Sequence, residues 1–85
     1  MQSKIKIKTA NEIVNFVKVL GERIKADVDL KKDRYVVDAK SVLSVIPFVN
    51  QEIILEIHSN DKAEVDEFRM IIQNYVIGVD LIDGI

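Results

Sequence analysis

Apolar and polar residues alternate from the start of the chain. In Lys4-Ile5-Lys6-Ile7-Lys8 the isoleucines fall on one side and the lysines on the other, which predicts a half-buried strand. The period then changes. Ile13, Phe16, Val17, Leu20 and Ile24 recur at helical spacing and predict an amphipathic helix near 11–25. Thr9 and Glu12 have capping-box spacing ahead of it, with Asn11 as a competing cap. Gly21 lies inside this helix, where close approach of another backbone is its expected use and mere tolerance the alternative. Alternation returns from Ala26 through Leu30, Lys31-Lys32-Asp33-Arg34 fits a hairpin turn, and Tyr35-Val36-Val37 reads as a third strand. Val42, Leu43, Val45 and Ile46 have helical spacing, but Pro47 limits any helix there to a short one beginning near Ser41. Glu52 to His58 alternates as a fourth strand. Asp61 and Glu64 then form a capping pair for a helix near 61–76, with the stripe Val65, Phe68, Ile72, Tyr75 and Val76. The tail from Ile77 to Ile85 carries Gly78, Gly84 and scattered apolar residues and is open between a short extension and a fold-back.

The order β-α-β-β-α-β-α predicts an α+β fold in which two long helices and one short helix lie on one face of a four-stranded antiparallel sheet. A ferredoxin-like arrangement remains an alternative from pattern alone. Eighty-five residues suit a single domain, 1–85. A core must come from packing, because the chain has no cysteine for a disulfide or a thiolate metal site. Absence of cysteine makes a cytoplasmic location the default expectation. The N-terminus lacks the unbroken apolar stretch of a signal peptide, and no apolar run approaches the ~20 residues that span a bilayer. The expectation is therefore no membrane association. The net charge is −2, which gives no general attraction to nucleic acid. Charge is unevenly spread: residues 1–40 hold ten Lys/Arg against six Asp/Glu, and residues 41–85 hold two against eight. Solvated faces of a compact domain explain this better than a basic patch for an acidic partner or a phosphate, and a fold that interleaves the halves would blur it.

Chemistry is sparse along the chain. A nucleophilic site needs a base beside a nucleophile. There is no cysteine and one histidine, His58, which by alternation sits on an exposed face. One histidine with scattered carboxylates lacks metal-ligand spacing, so no metal and no cofactor is expected. Asp27 with Asp29, and Asp80 with Asp83, read as solvated residues before acid/base pairs. The glycines are too dispersed for a phosphate loop. Tyr35 is the only strand aromatic near the basic row Lys4, Lys6 and Lys8, which disfavours single-stranded nucleic acid. The most specific segment is Asp38-Ala39-Lys40-Ser41-Val42-Leu43-Ser44-Val45. Serine there suits a helix N-cap, and the same geometry would receive a phosphate.

At this segment the chain resembles the histidine-containing phosphocarrier (HPr) family. Lys40-Ser41 followed by Val42 to Ile46 matches the family's lysine-serine pair and short helix. Ala26-Asp27-Val28 matches its alanine-aspartate-valine entry to the second strand, with no gap between the two stretches. The likeness spans roughly residues 4–76 and implies the family's open-faced β-sandwich. The departures bear on function. The family's phosphorylated histidine, with an arginine and a proline after it, lies in the loop following the first strand. Here that loop is Thr9-Ala10-Asn11-Glu12, so the positions of the lost phosphocarrier loop are Ala10, Asn11 and Glu12. Phosphocarrier activity is therefore not expected, and the chain reads as a non-enzyme. Ser41 matches the serine that a dedicated kinase phosphorylates in many Gram-positive members. Histidine-free relatives act as co-regulators of a LacI-type repressor. The resemblance thus implies a regulatory binding protein with protein partners, such as a transcriptional repressor or HPr kinase. Ser41 is its candidate phosphorylation site, and Leu43, Ile46 and Phe48 are its candidate partner-facing residues. Pro47 alters the short helix that carries them. Alternatives are a phosphotransfer component using another residue, or an HPr-fold module with an unrelated partner.

Overall fold

The computed structural model describes residues 1–77 and gives the element order β1 (Gln2–Lys6), α1 (Ala10–Arg23), β2 (Val28–Lys32), β3 (Tyr35–Asp38), α2 (Val42–Val45), a 3₁₀ turn (Ile46–Phe48), β4 (Glu52–Ile57) and α3 (Lys62–Ile72). The strands form one antiparallel sheet in the order β1-β4-β2-β3. This is the α+β architecture expected from the pattern. The inward positions of the pattern are buried: Ile5, Ile7, Val28, Leu30, Ile53 and Leu55 on the strand side, and Phe16, Leu20, Phe68 and Ile72 on the helices. Phe16, Val17 and Leu20 of α1 and Phe68 and Ile72 of α3 share one core with the inward residues of the strands. Among the described residues no helix covers the opposite face, where Lys4, Asp29, Lys31, Glu56 and Asp38 stand. Among the described residues no helix is long and apolar enough to cross a membrane.

Element ends differ from the pattern, and backbone hydrogen bonding explains each difference. β1 begins two residues early, which puts Ser3 in the inward row beside Ile5. Ile7 stays buried but leaves the ladder, its carbonyl accepting from the Asn50 N–H at 2.7 Å. α1 is capped by Thr9, not Asn11: the Thr9 hydroxyl accepts from the Glu12 N–H at 3.2 Å and donates to the Glu12 carboxylate at 3.0 Å. Gly21 serves no close approach, since a Cβ there would meet nothing within 4 Å. β2 starts at Val28, not Ala26, because the Lys25 and Ala26 N–H groups both donate to Glu64 of α3, at 2.8 and 3.1 Å. Glu64 therefore does not close a capping box with Asp61. Asp61 caps α3 through the Ala63 N–H, and Ser59 supplies the acceptor for the Asp61 N–H.

α3 stops at Ile72, short of the expected residue 76. The free outer edge of β1 captures the chain that follows: the Lys6 N–H donates to the Tyr75 carbonyl and the Ile77 N–H to the Lys4 carbonyl, each at 3.0 Å. Val76 bridges Ile5 antiparallel. Tyr75 is thus no part of the helical stripe, and its ring meets Phe16 edge-on at 5.5 Å. The expected tail beyond Ile77, with Gly78, Gly84 and the Asp80/Asp83 pair, lies outside the described residues.

Candidate functional site

The short helix region follows from three local causes. Val45 is buried and anchors α2 to the core. Pro47 lacks the N–H that a continuing helix needs, so the chain tightens into the 3₁₀ turn after one α-turn. Asn50 then takes a left-handed conformation, φ 60°, and turns the chain into β4. With Val45 fixed inward, Leu43 points outward and is 87% exposed. Ile46 and Phe48 are half-buried against the core. The Phe48 ring meets Tyr35 of β3 edge-on at 6.2 Å. Leu43, Pro47, Phe48, Tyr35 and Val37 line an open cleft of about 510 Å³, rimmed by Lys32, Asp33, Ser44 and Gln51. An apolar cleft with a fully solvated leucine at its lip is a surface shaped to take an apolar side chain. The three candidate partner-facing residues are therefore unequal: Leu43 is exposed at the cleft, Phe48 divides its surface between core and cleft, and Ile46 packs half-buried against the core without lining the cleft.

Ser41 occupies the N-cap position of α2, as expected, with extended backbone. Its carbonyl accepts from the Ser44 and Val45 N–H groups. Its side chain, however, makes no capping hydrogen bond, which corrects the cap reading of the hydroxyl. Lys40 is not free to steady a phosphate there. Its ammonium donates to the Ile24 carbonyl at the end of α1, 2.7 Å away, and its N–H donates to the Asp38 carboxylate.

The segment Ala10, Asn11 and Glu12, expected from the resemblance at the phosphocarrier-loop position, is not a loop. It is the first turn of α1, with Ala10 and Asn11 exposed and the Glu12 side chain held by Thr9. No imidazole stands near it by sequence, since the only histidine is His58, at the far end of β4.

The open sheet face holds what the sequence did not reveal. His58 follows β4, and its Nε2 lies 2.8 Å from Asp29 Oδ2 of β2 and 3.9 Å from Glu56 Oε1 of β4. Lys31 pairs with the same Glu56 oxygen. That pairing draws the Glu56 carboxyl below its ordinary value, helped by the Gln2 side chain, and raises Lys31 in return. Asp29 and Glu56 are distant in sequence, and only the β2–β4 register sets them opposite each other.

No family model and no curated protein matches the chain. Among solved structures the chain is similar to HPr-C-His from Thermoanaerobacter tengcongensis, with 23% identity over 86% of this chain and 85% of that one and a TM-score of 0.65. The sheet order, the helix-covered face and this likeness together give the chain an HPr-like fold.

Proposed function

We propose that the protein is a non-catalytic HPr-fold binding protein that docks a protein partner at the cleft beside α2. The observation that carries the reading is Leu43, which is 87% exposed at the lip of an apolar cleft although its neighbour Val45 is buried. A leucine that only packed the one-turn helix α2 would turn inward; one held outward beside an exposed apolar cleft suits an interaction surface. Phosphotransfer is not part of this reading. The family's phosphoimidazole forms on a histidine in the segment after β1, and that segment here holds Ala10, Asn11 and Glu12. Ser41 is the regulatory site in this proposal. Its side chain is not committed to a cap, and a phosphate there would place ~−1.5 to −2 charge two residues from Leu43. The regulated partner is a transcriptional repressor of the LacI type or another protein that reads the same surface, and the compartment is the cytoplasm.

Two labelling experiments test this. With enzyme I, phosphoenolpyruvate and magnesium, no acid-labile phosphate should appear; labelling at His58 would instead make the protein a phosphotransfer component. With a Gram-positive HPr kinase and ATP, the wild type should be labelled and Ser41→Ala should not. Absence of kinase labelling removes the switch and leaves the docking surface to be tested by Leu43→Asp.

A further inference from the structure

The open face of the sheet carries a cluster that the docking surface does not use. In the register of the sheet, Asp29 of β2 stands directly opposite Glu56 of β4 on one side and Asp38 of β3 on the other. Like charges directly opposite in neighbouring strands repel; the Lys31 ammonium on Glu56 offsets part of this, and a further cation beside Asp29 would offset more. His58 completes the group from the end of β4. Asp29, Glu56 and His58 each offer one ligand atom, and the three atoms lie within 4.8 Å of one another.

We propose that Asp29, Glu56 and His58 form a surface site for a single divalent transition-metal ion of the zinc class, bound by one imidazole nitrogen and two carboxylate oxygens. Three features support the chemistry. The donor set is an imidazole with two carboxylates, and three protein ligands plus water is a common arrangement for zinc. The spacing of the donors is close to that of a site, not yet closed on one: ligands at ~2.0–2.1 Å around a tetrahedral centre stand roughly 3.3 Å apart, whereas the three atoms here lie within 4.8 Å of one another and must draw together on an ion. The Nε2 to Asp29 distance of 2.8 Å and the Nε2 to Glu56 distance of 3.9 Å lie on either side of the tetrahedral spacing. The exposure fits as well. The side chains of Asp29, Glu56 and His58 are 33%, 22% and 48% exposed, so the ion could keep one or two waters. Two of the three ligands come from paired strands, which fixes their backbones before the ion arrives and limits the ordering cost.

Lys31 is the built-in competitor. Its ammonium holds the Glu56 oxygen that faces His58. A bound ion must displace it, which caps the affinity and gives the site a signature that a plain surface histidine would lack. Removing Lys31 should strengthen metal binding.

The test is calorimetric titration of the full chain with Zn²⁺ in a non-chelating buffer, with backbone amide NMR spectra recorded along the titration. One ion per chain is expected, with shifts confined to the β2 and β4 residues around Asp29 and His58. Loss of a mere supporting partner weakens metal sites by about 10–100-fold, so loss of a ligand in His58→Gln or Asp29→Asn should weaken binding by at least about tenfold. Lys31→Met should bind more tightly than wild type. These side chains lie at the surface, and unchanged amide spectra of the metal-free variants will show that the fold is intact. No binding at millimolar zinc, binding that survives both ligand substitutions, or a Lys31→Met variant that binds no better would each overturn the three-donor site.

Discussion

Ser3 shows what a single residue contributes when its surroundings offer it nothing. It is fully buried in the inward row of β1, and its hydroxyl is the only buried side-chain polar atom among the described residues with no hydrogen-bond partner. Leaving a buried donor unsatisfied costs about 1–3 kcal/mol. Ser3→Ala removes the hydroxyl and should raise stability by about 1 kcal/mol, seen as a melting temperature about 4–8 °C higher for a domain of this size. Gly21 is a second unused opportunity. It faces solvent in α1, and a methyl group there meets no atom. Gly21→Ala should stabilise the protein by up to about 1 kcal/mol in a urea melt, through helix propensity alone. The roles of both residues escaped the pattern for the same reason. Alternation placed Ile5 and Ile7 inward without showing that the ladder reaches back to Ser3, and periodicity cannot say whether a glycine has a neighbour.

Elements that periodicity defines were legible, and their ends were not. The stripes of α1 and α3 and the alternation of β4 located the core, because burial imposes those periods directly. Ends depend on partners distant in sequence. Glu64 illustrates this: it bonds Ser59 on its own side and Lys25 and Ala26 across the fold, which stops β2 from starting earlier. The Ser59 hydroxyl, then the Ala26 and Lys25 N–H groups, hold its carboxyl below the ordinary value of 4.5. A carboxyl depressed in the folded state binds fewer protons there than in the unfolded chain, so its contribution is present above the ordinary carboxylate value and is lost as pH falls through the lower folded one. Glu64→Gln should therefore lower stability at pH 7 and flatten the acid side of a stability profile measured by urea melts between pH 7 and 3. An acid limb as steep as wild type would show that the staple is not formed. For the candidate site, the family resemblance pointed to Ser41, Leu43, Ile46 and Phe48, and which of them faces water depended on Val45 and Pro47 together. For the α2 surface, Ser41→Asp should keep the melting temperature within about 2 °C of wild type, since no capping bond is lost. Collapse of that variant would rule out a negative charge at the site.

For the whole molecule, folding interleaves the two unevenly charged halves of the chain. β4, from the acidic half, lies between β1 and β2 from the basic half, and pairs Glu52 with Lys4 and Glu56 with Lys31. Arg23 of α1 and Glu67 of α3 meet in the same way. The interleaving blurs the asymmetry that the sequence shows. The same strand order governs how the chain reaches its fold. A nascent chain that has not yet supplied β4 holds the β2–β3 hairpin, but β1 has no strand to join, because its neighbour lies some fifty residues downstream. Closing that long loop comes before any return from the contacts it brings, which makes such pairing slow. The centre of the sheet is thus the last strand to arrive, and the apolar row of β1 must wait for it. A chain ended at Gln51 should show no cooperative thermal transition by circular dichroism, although it holds three of the four strands. During synthesis, protection of the early segment falls to whatever meets the chain as it leaves the ribosome, until residues 52–57 slide between the two halves and lock them together.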